Sequence, residues 1–314
     1  ASVQNMLEKD NWIFNTGNKL TSALDDGHSR AMYSAFASAQ LAYDEWLSLD
    51  LTARNDWSST LPKKNNSFFY PSASLSWVFS DFMRSIDHKL PSWITFAKLR
   101  VSAAQVGKDP APYNLYNVRK YQFEMGNRKP INNTIKLNAN LKPEIKTSYE
   151  VGVDMKFLDN RLGLDFTYYY NTTKNQAMLV DASSPWTQQW VNAGKINNTG
   201  VEFMLYGTPV KTRDFQFDIT ANLAHNRSTV KELADGVNRV YFAGDSNMPV
   251  KVGAVKGGKL GDIFANNLMQ RDAQGRVIIG DDGLPMAATG DGNLEQYLLD
   301  HPIGNIQPDL LMSI

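Results

Sequence analysis

The chain has 314 residues, enough to bury a large core or to form about two ordinary domains. Its 32 basic and 32 acidic side chains cancel, which removes any electrostatic case for nucleic acid or an anionic membrane surface. With no cysteine it can hold no disulfide or thiolate site, and a mean hydropathy of −0.38 without a ~18-residue apolar run excludes a helical span but not a barrel.

Taken in order, Ala1-Ser2-Val3-Gln4-Asn5 lacks an initiator Met, a basic start and an apolar leader. A first strand is expected over 34–43, followed by a polar turn at Asp44-Glu45. In the next, Leu47, Leu49, Leu51 and Ala53 interleave with Ser48, Asp50, Thr52 and Arg54. Phe69, Pro71, Ala73, Leu75, Trp77 and Phe79 alternate with Ser72, Ser74 and Ser76, and Ala97, Leu99, Val101 and Ala103 with Lys98, Arg100 and Ser102. The clearest pair follows. Tyr149, Val151, Val153, Met155 and Phe157 share one face, a turn forms at Asp159-Asn160, and Leu162, Leu164, Phe166, Tyr168 and Tyr170 return. Each leg is about ten residues long, close to the ~9–11 that cross a bilayer at a tilt. Val201, Phe203 and Leu205, then Phe215, Phe217, Ile219, Ala221 and Leu223, repeat the design around a turn at 211–214. No stretch has a long helical period. The final Leu310-Leu311-Met312-Ser313-Ile314 reads as a strand opening, so the chain is expected to be an interior piece of a longer protein.

The connections are unequal. Short polar turns contrast with irregular stretches over about 108–141, 175–194 and 231–307, rich in Gly, Pro, Asn and Asp, and these follow every second strand. Aromatics gather near strand ends (Trp57, Phe68, Phe69, Tyr70, Trp77, Tyr168, Tyr169, Tyr170), as interfacial girdles do. Pro71 is expected at a strand start, bulge or rim, and Gly200 at a bend or bulge. Glu150, Asp154, Lys156, Arg161 and Asp165 are expected to face the lumen and pair across strands or meet water. The pattern points to an all-β, antiparallel transmembrane barrel wall. A soluble adhesive β-sandwich module also alternates, as does a secreted β-rich carbohydrate-active enzyme, and both remain as alternatives.

The local motifs come in a telling order. Arg54-Asn55-Asp56-Trp57 through Leu61-Pro62 precedes Phe69-Tyr70-Pro71-Ser72-Ala73; then come Leu99-Arg100-Val101-Ser102 with Gly107, and Leu141-Lys142-Pro143-Glu144 before Glu150-Val151-Gly152-Val153-Asp154. Asn160-Arg161-Leu162 opens a strand ending in Tyr168-Tyr169-Tyr170-Asn171. Asn192-Ala193-Gly194 through Gly200-Val201-Glu202 completes the run, with Asn222 and Asn226 beyond. Over nearly the whole chain this succession resembles the barrel region of SusC/RagA-type TonB-dependent outer-membrane transporters. It departs at Ser102-Ala103-Ala104-Gln105, where the family usually has Ser-Tyr-Gly. The resemblance implies a plugged barrel of ~22 strands. Residues 1–314 would form a partial barrel domain, without the plug domain or the closing strands. It further implies a Gram-negative outer membrane, contact with its lipid, a SusD-like surface lipoprotein, the TonB complex acting through the plug, and an oligosaccharide or peptide cargo, with no cofactor and no nucleic acid.

Other chemistry is sparse. Gly253-Ala254-Val255-Lys256-Gly257-Gly258-Lys259-Leu260 nearly matches a phosphate loop, but Leu260 stands where Ser or Thr must hold magnesium. Asp281-Asp282-Gly283 and Asp291-Gly292-Asn293 gather carboxylates without the EF-hand spacing, so solvated turns are expected. His28, His88, His225 and His301 fit no zinc or catalytic motif. Trp186 and Trp190, beside Gln188 and Gln189, remain as candidate ligand contacts, since flat apolar rings flanked by amides suit sugars or peptide groups. The default reading is that they anchor their loop at the membrane interface or against a partner.

Overall fold

The computed structural model describes residues 3–6, 17–20, 29–116, 120–124, 127–131, 134–243, 250–265, 268–272, 274–288 and 301–314. Nine strands form one antiparallel sheet in strictly sequential order. They are β1 (Met32–Tyr43), β2 (Leu47–Ser58), β3 (Ser67–Val78), β4 (Ile94–Lys108), β5 (Glu144–Phe157), β6 (Leu162–Lys174), β7 (Lys195–Lys211), β8 (Gln216–Glu232) and β9 (Leu311–Ser313). The order of neighbours is an up-and-down meander, the connectivity of a barrel wall left open at β1 and β9. Strands β1 to β8, of 12–17 residues at ~3.3 Å each, exceed what a ~30 Å hydrocarbon layer requires even when tilted, so the surplus projects beyond it.

Register explains why the sheet has two unlike faces. Across β5 and β6, Ile145↔Lys174 through Phe157↔Leu162 run without a slip, which places Val151 beside Tyr168 and Val153 beside Phe166. The same row continues to Val101 and Leu75 on one side and Val201 on the other. Tyr149, Val151, Phe166, Tyr168, Leu205, Phe217 and Ile219 all lie on this face and all remain exposed among the described residues. A sandwich would bury such a face against a second sheet. The adhesive β-sandwich alternative is therefore set aside.

The opposite face is polar and cross-linked. Arg100 on β4 crosses over Gly152 on β5 and reaches both carboxylate oxygens of Asp165 on β6, at 2.9 Å each. A Cβ at Gly152 would stand 3.0 Å from the guanidinium. Gly200 corrects an expectation. It marks no bend or bulge, because Tyr169↔Gly200↔Asn226 lies within unbroken register. It is there to leave room for the Tyr169 ring, which would lie 2.4 Å from an added Cβ. Gly163 does the same beneath Tyr206. Pro71 lies inside β3 rather than at a strand start or bulge: it pairs with Ala53 on β2 in unbroken register, and its missing N–H is tolerated because it stands just outside the β3–β4 ladder, which begins only at Ser72↔Ala104.

Several other expectations change. Phe68, Tyr70 and Tyr169 do not join the lipid-side girdle, since strand parity turns them inward. Phe68 is buried against Leu61 and Leu141, and the Tyr70 hydroxyl donates to Asp56 at 2.6 Å. Arg161 lies in the 158–161 turn rather than the lumen, and donates to the Pro209 carbonyl at 3.3 Å. Phe79 leaves its expected strand to start α1 (Phe79–Ser85), a helix too short to show a period. Phe82 of α1 packs on Trp46 (4.8 Å) and Trp77 (5.7 Å), forming an aromatic group at the short-turn end.

Because the strands alternate in direction, the connections 44–46, 79–93, 158–161 and 212–215 fall at one end. The connections 59–66, 109–143, 175–194 and 233–310 fall at the other, hereafter the loop end. The long stretches are not irregular. Lys120–Glu124 pairs with Asn127–Ile131, Ala177–Asp181 with Gln188–Asn192, and Arg239–Ala243, Val250–Val255, Asp262–Ala265 and Gly304–Asn305 form a four-stranded sheet. Buried apolar side chains cluster at the loop end: Leu61, Phe68 at the start of β3 and Leu141 form one group, and Met178, Val180 and Val240 another.

Candidate ligand-binding site

The loop end carries the candidate contacts. Strand pairing sorts them by face. In the hairpin Ala177–Asp181/Gln188–Asn192, Met178↔Val191 and Val180↔Gln189 share the face that packs on Val240, Leu233 and Val237. Leu179, Trp190 and Gln188 share the other. Trp190 and Gln188 are thus brought together, while Gln189 lies on the face of the buried cluster. Trp186 sits in the connecting turn, where its N–H donates to Ser183 C=O at 3.2 Å and Ala182 and Thr187 close the hairpin at 3.0 Å. The hairpin is braced from outside. Gln188 and Gln189 pair in parallel with Ile135–Lys136, and Thr187 N–H donates to the Thr134 carbonyl at 2.8 Å.

Beneath the loops lies a buried polar hub that strand patterns do not reveal. Asp109, the residue after β4, takes a two-pronged contact from Arg30 (Nη2 at 2.6 Å, Nε at 2.9 Å). It also accepts from the hydroxyls of Ser58 at 2.5 Å and Thr60 at 2.7 Å. Burial pushes the Asp109 carboxyl upward, but the hydrogen bonds from Ser58, Thr60 and Arg30 outweigh it and hold the group below the ordinary carboxylate range. Beside it on β2, Asp56 accepts from Arg54 and Tyr70, at 2.8 and 2.6 Å. The only sequence signal was three polar residues, Ser58, Thr60 and Asp109, at the ends of apolar strands. It is weak, because the partners lie 49 and 51 residues apart.

The remaining chemical candidates resolve into structure. The phosphate-loop look-alike runs from the strand Val250–Val255 through a turn into the strand Asp262–Ala265, where a phosphate loop leads into a helix. Asp282 caps a tight turn, accepting from Leu284 N–H at 3.0 Å. His225 meets the carbonyl of Asp309 at 2.5 Å, and Asp309 is held below the usual range by the nearby Lys259 ammonium. Asp291-Gly292-Asn293 and His28 lie outside the described residues. On the inner face below the loops, Asn226 and Ser228 both donate to Gln307 Oε1, at 3.3 and 3.1 Å, and Tyr169 donates to Asn226 at 3.2 Å. The arrangement offers amide edges and rings for binding, on a wall with one oily and one polar side.

Comparison with known proteins agrees with this architecture. The family described as TonB dependent receptor-like, β-barrel matches residues 6–251. The chain is 26% identical over 276 residues to TonB-dependent receptor SusC of Bacteroides thetaiotaomicron, covering 81% of this chain and 27% of that protein. It is 26% identical over 215 residues to TonB-dependent receptor P3 of Formosa agariphila, covering 65% and 21%. Among solved structures, the RagAB peptide transporter superposes with a TM-score of 0.70 at 22% identity, covering 90% of this chain and 31% of that one. That likeness is one of fold. The chain spans about a fifth to a third of the length of these proteins.

Proposed function

Because this chain belongs to the TonB dependent receptor-like β-barrel family, proteins of the Gram-negative outer membrane, we propose that it supplies part of the wall and outer loops of a TonB-dependent nutrient importer. The observation that carries the reading is the single nine-stranded sheet with an exposed apolar face, a polar inner face and its long loops at one end. In this reading 1–314 is a partial barrel domain. The apolar face meets outer-membrane lipid, the polar face lines the import path, and the loops form part of the capture site. The TonB complex supplies the energy through a plug domain, and a SusD-like lipoprotein caps the loop end. Cargo is an oligosaccharide or a peptide, and the RagAB structure, described as a peptide transporter, favours neither for this chain at 22% identity. Trp190 and Gln188, sharing the half-buried face of the loop-end hairpin opposite the buried cluster, are the contacts proposed, with Trp186 at its turn.

The test is direct. In the protein as its host makes it, outer-membrane fractionation should place it with the barrel proteins, and deleting it should abolish uptake of labelled gluco-oligosaccharides or labelled oligopeptides. Recovery in the soluble fraction with glycan-hydrolysing activity would instead favour the carbohydrate-active enzyme.

A further inference from the structure

Asn192 ends the second strand of the loop-end hairpin, and its side chain is fully engaged. Its Oδ1 accepts from Lys142 N–H at 2.7 Å, and its Nδ2 donates to the carbonyls of Lys142 at 2.8 Å and Asn175 at 2.9 Å. An amide that both accepts from and donates to one residue's backbone does what a neighbouring strand would do. Lys142, in turn, is fixed to the wall. The preceding Leu141 is completely buried against Leu61 and Phe68. Asn65 Nδ2 donates to the Leu141 carbonyl at 3.0 Å, and Lys64 Nζ donates to Asn140 Oδ1 at 2.6 Å. Three connections that are far apart in the chain, 59–66, 138–142 and 175–194, are therefore stitched together, and Asn192 is the stitch that holds the hairpin.

Resting on the reading that the hairpin face carrying Trp190 and Gln188 touches cargo, we infer that Asn192 is a positioning residue for import. It lies two residues from Trp190 on the same strand face, so a strand locked at Asn192 cannot twist or lift without breaking the bonds to Lys142. The clamp fixes where Trp190 and Gln188 stand over the wall, and makes the mouth loops move as one body. Asn192 touches no cargo in this scheme.

The experiment compares Asn192→Ala, Asn192→Asp and Trp190→Ala in the protein as its host makes it. The readouts are amide hydrogen exchange of residues 177–192, thermal unfolding in detergent, and the concentration dependence of uptake of labelled oligopeptides and labelled gluco-oligosaccharides. Asn192→Asp keeps an acceptor but cannot donate to the two carbonyls, so it should behave like Asn192→Ala. Both should speed hairpin exchange and raise half-saturation about tenfold, leaving the maximal rate and the unfolding temperature of the wall near those of the parent. Trp190→Ala should raise half-saturation with hairpin exchange unchanged. Hairpin exchange unaltered in both Asn192 variants would overturn the clamp. Faster exchange with unchanged half-saturation, while Trp190→Ala weakens uptake, would overturn the positioning role alone. Uptake indifferent to Trp190→Ala would overturn the site reading on which that role rests.

Discussion

Replacing Gly200 by alanine is expected to destabilise the wall by about 2.5–5.5 kcal/mol, a large loss for one methyl group. The added Cβ would lie 2.4 Å from Cζ and the hydroxyl of Tyr169 and 2.6 Å from the carbonyl oxygen of His225. The ring can swing aside. Doing so breaks its 3.2 Å bond to Asn226, about 1 kcal/mol, and forces a poorer rotamer, about 0.5–1.5 kcal/mol. The carbonyl cannot yield as easily, because β8 is paired along its length with β7; separating the strands adds an overpacking term of about 1–3 kcal/mol. Thermal unfolding of the purified protein in detergent, compared with the parent, reads the total. Tyr169→Ala then divides it: in the double variant the ring's share should disappear and the carbonyl's share remain. A Gly200→Ala protein as stable as the parent would refute the steric argument. A penalty unmoved by Tyr169→Ala would refute the claim that the glycine exists to seat the ring.

Asp109→Ala should cost about 2–4 kcal/mol, since the buried Ser58 and Thr60 hydroxyls lose their acceptor and only the half-exposed Arg30 can turn to water. Asp109→Asn should cost less, about 1–2 kcal/mol. Because the folded carboxyl titrates below the ordinary ~3.9, its contribution is complete above that pH and fades as pH falls through the depressed value; urea unfolding between pH 6 and 3 should show a shallower acid loss in Asp109→Asn. Val151→Arg on the oily face should destabilise the folded protein by about 2–4 kcal/mol, whereas Ser102→Arg, on the inner face opposite Glu150, should be close to neutral in the same assay. Trp186→Ala with Trp190→Ala should weaken uptake of labelled oligopeptides or gluco-oligosaccharides with membrane levels unchanged, which immunoblotting of membrane fractions checks.

Much of the wall was legible before any coordinate. Alternation from 148 to 170 sets which residues of β5 and β6 face outward, and the observed pairing of Val151 with Tyr168 follows it. The order of long and short connections was legible too, because antiparallel order alone dictates which end each reaches. The loops were not, since their strands are short and interrupted. Ala177–Asp181 and Gln188–Asn192 pair through backbone groups that any sequence carries, and Ile135–Lys136 joins them from more than forty residues away. The helix Phe79–Ser85 escaped because two turns cannot show a period; Trp46 and Trp77 hold it.

By itself the sequence determined that long strands with one oily and one polar face would form, because a period of two is a property of each strand alone. Only the tertiary structure decided what opposes what. It laid Tyr169 over Gly200, carried Arg100 across Gly152 to Asp165, converged Arg30, Ser58 and Thr60 on Asp109, and gave Asn192 the backbone of Lys142 as its partner. Each depends on register or on a long-range approach. No local pattern encodes such contacts, because they arise where distant segments share a volume and must satisfy one another's polar groups.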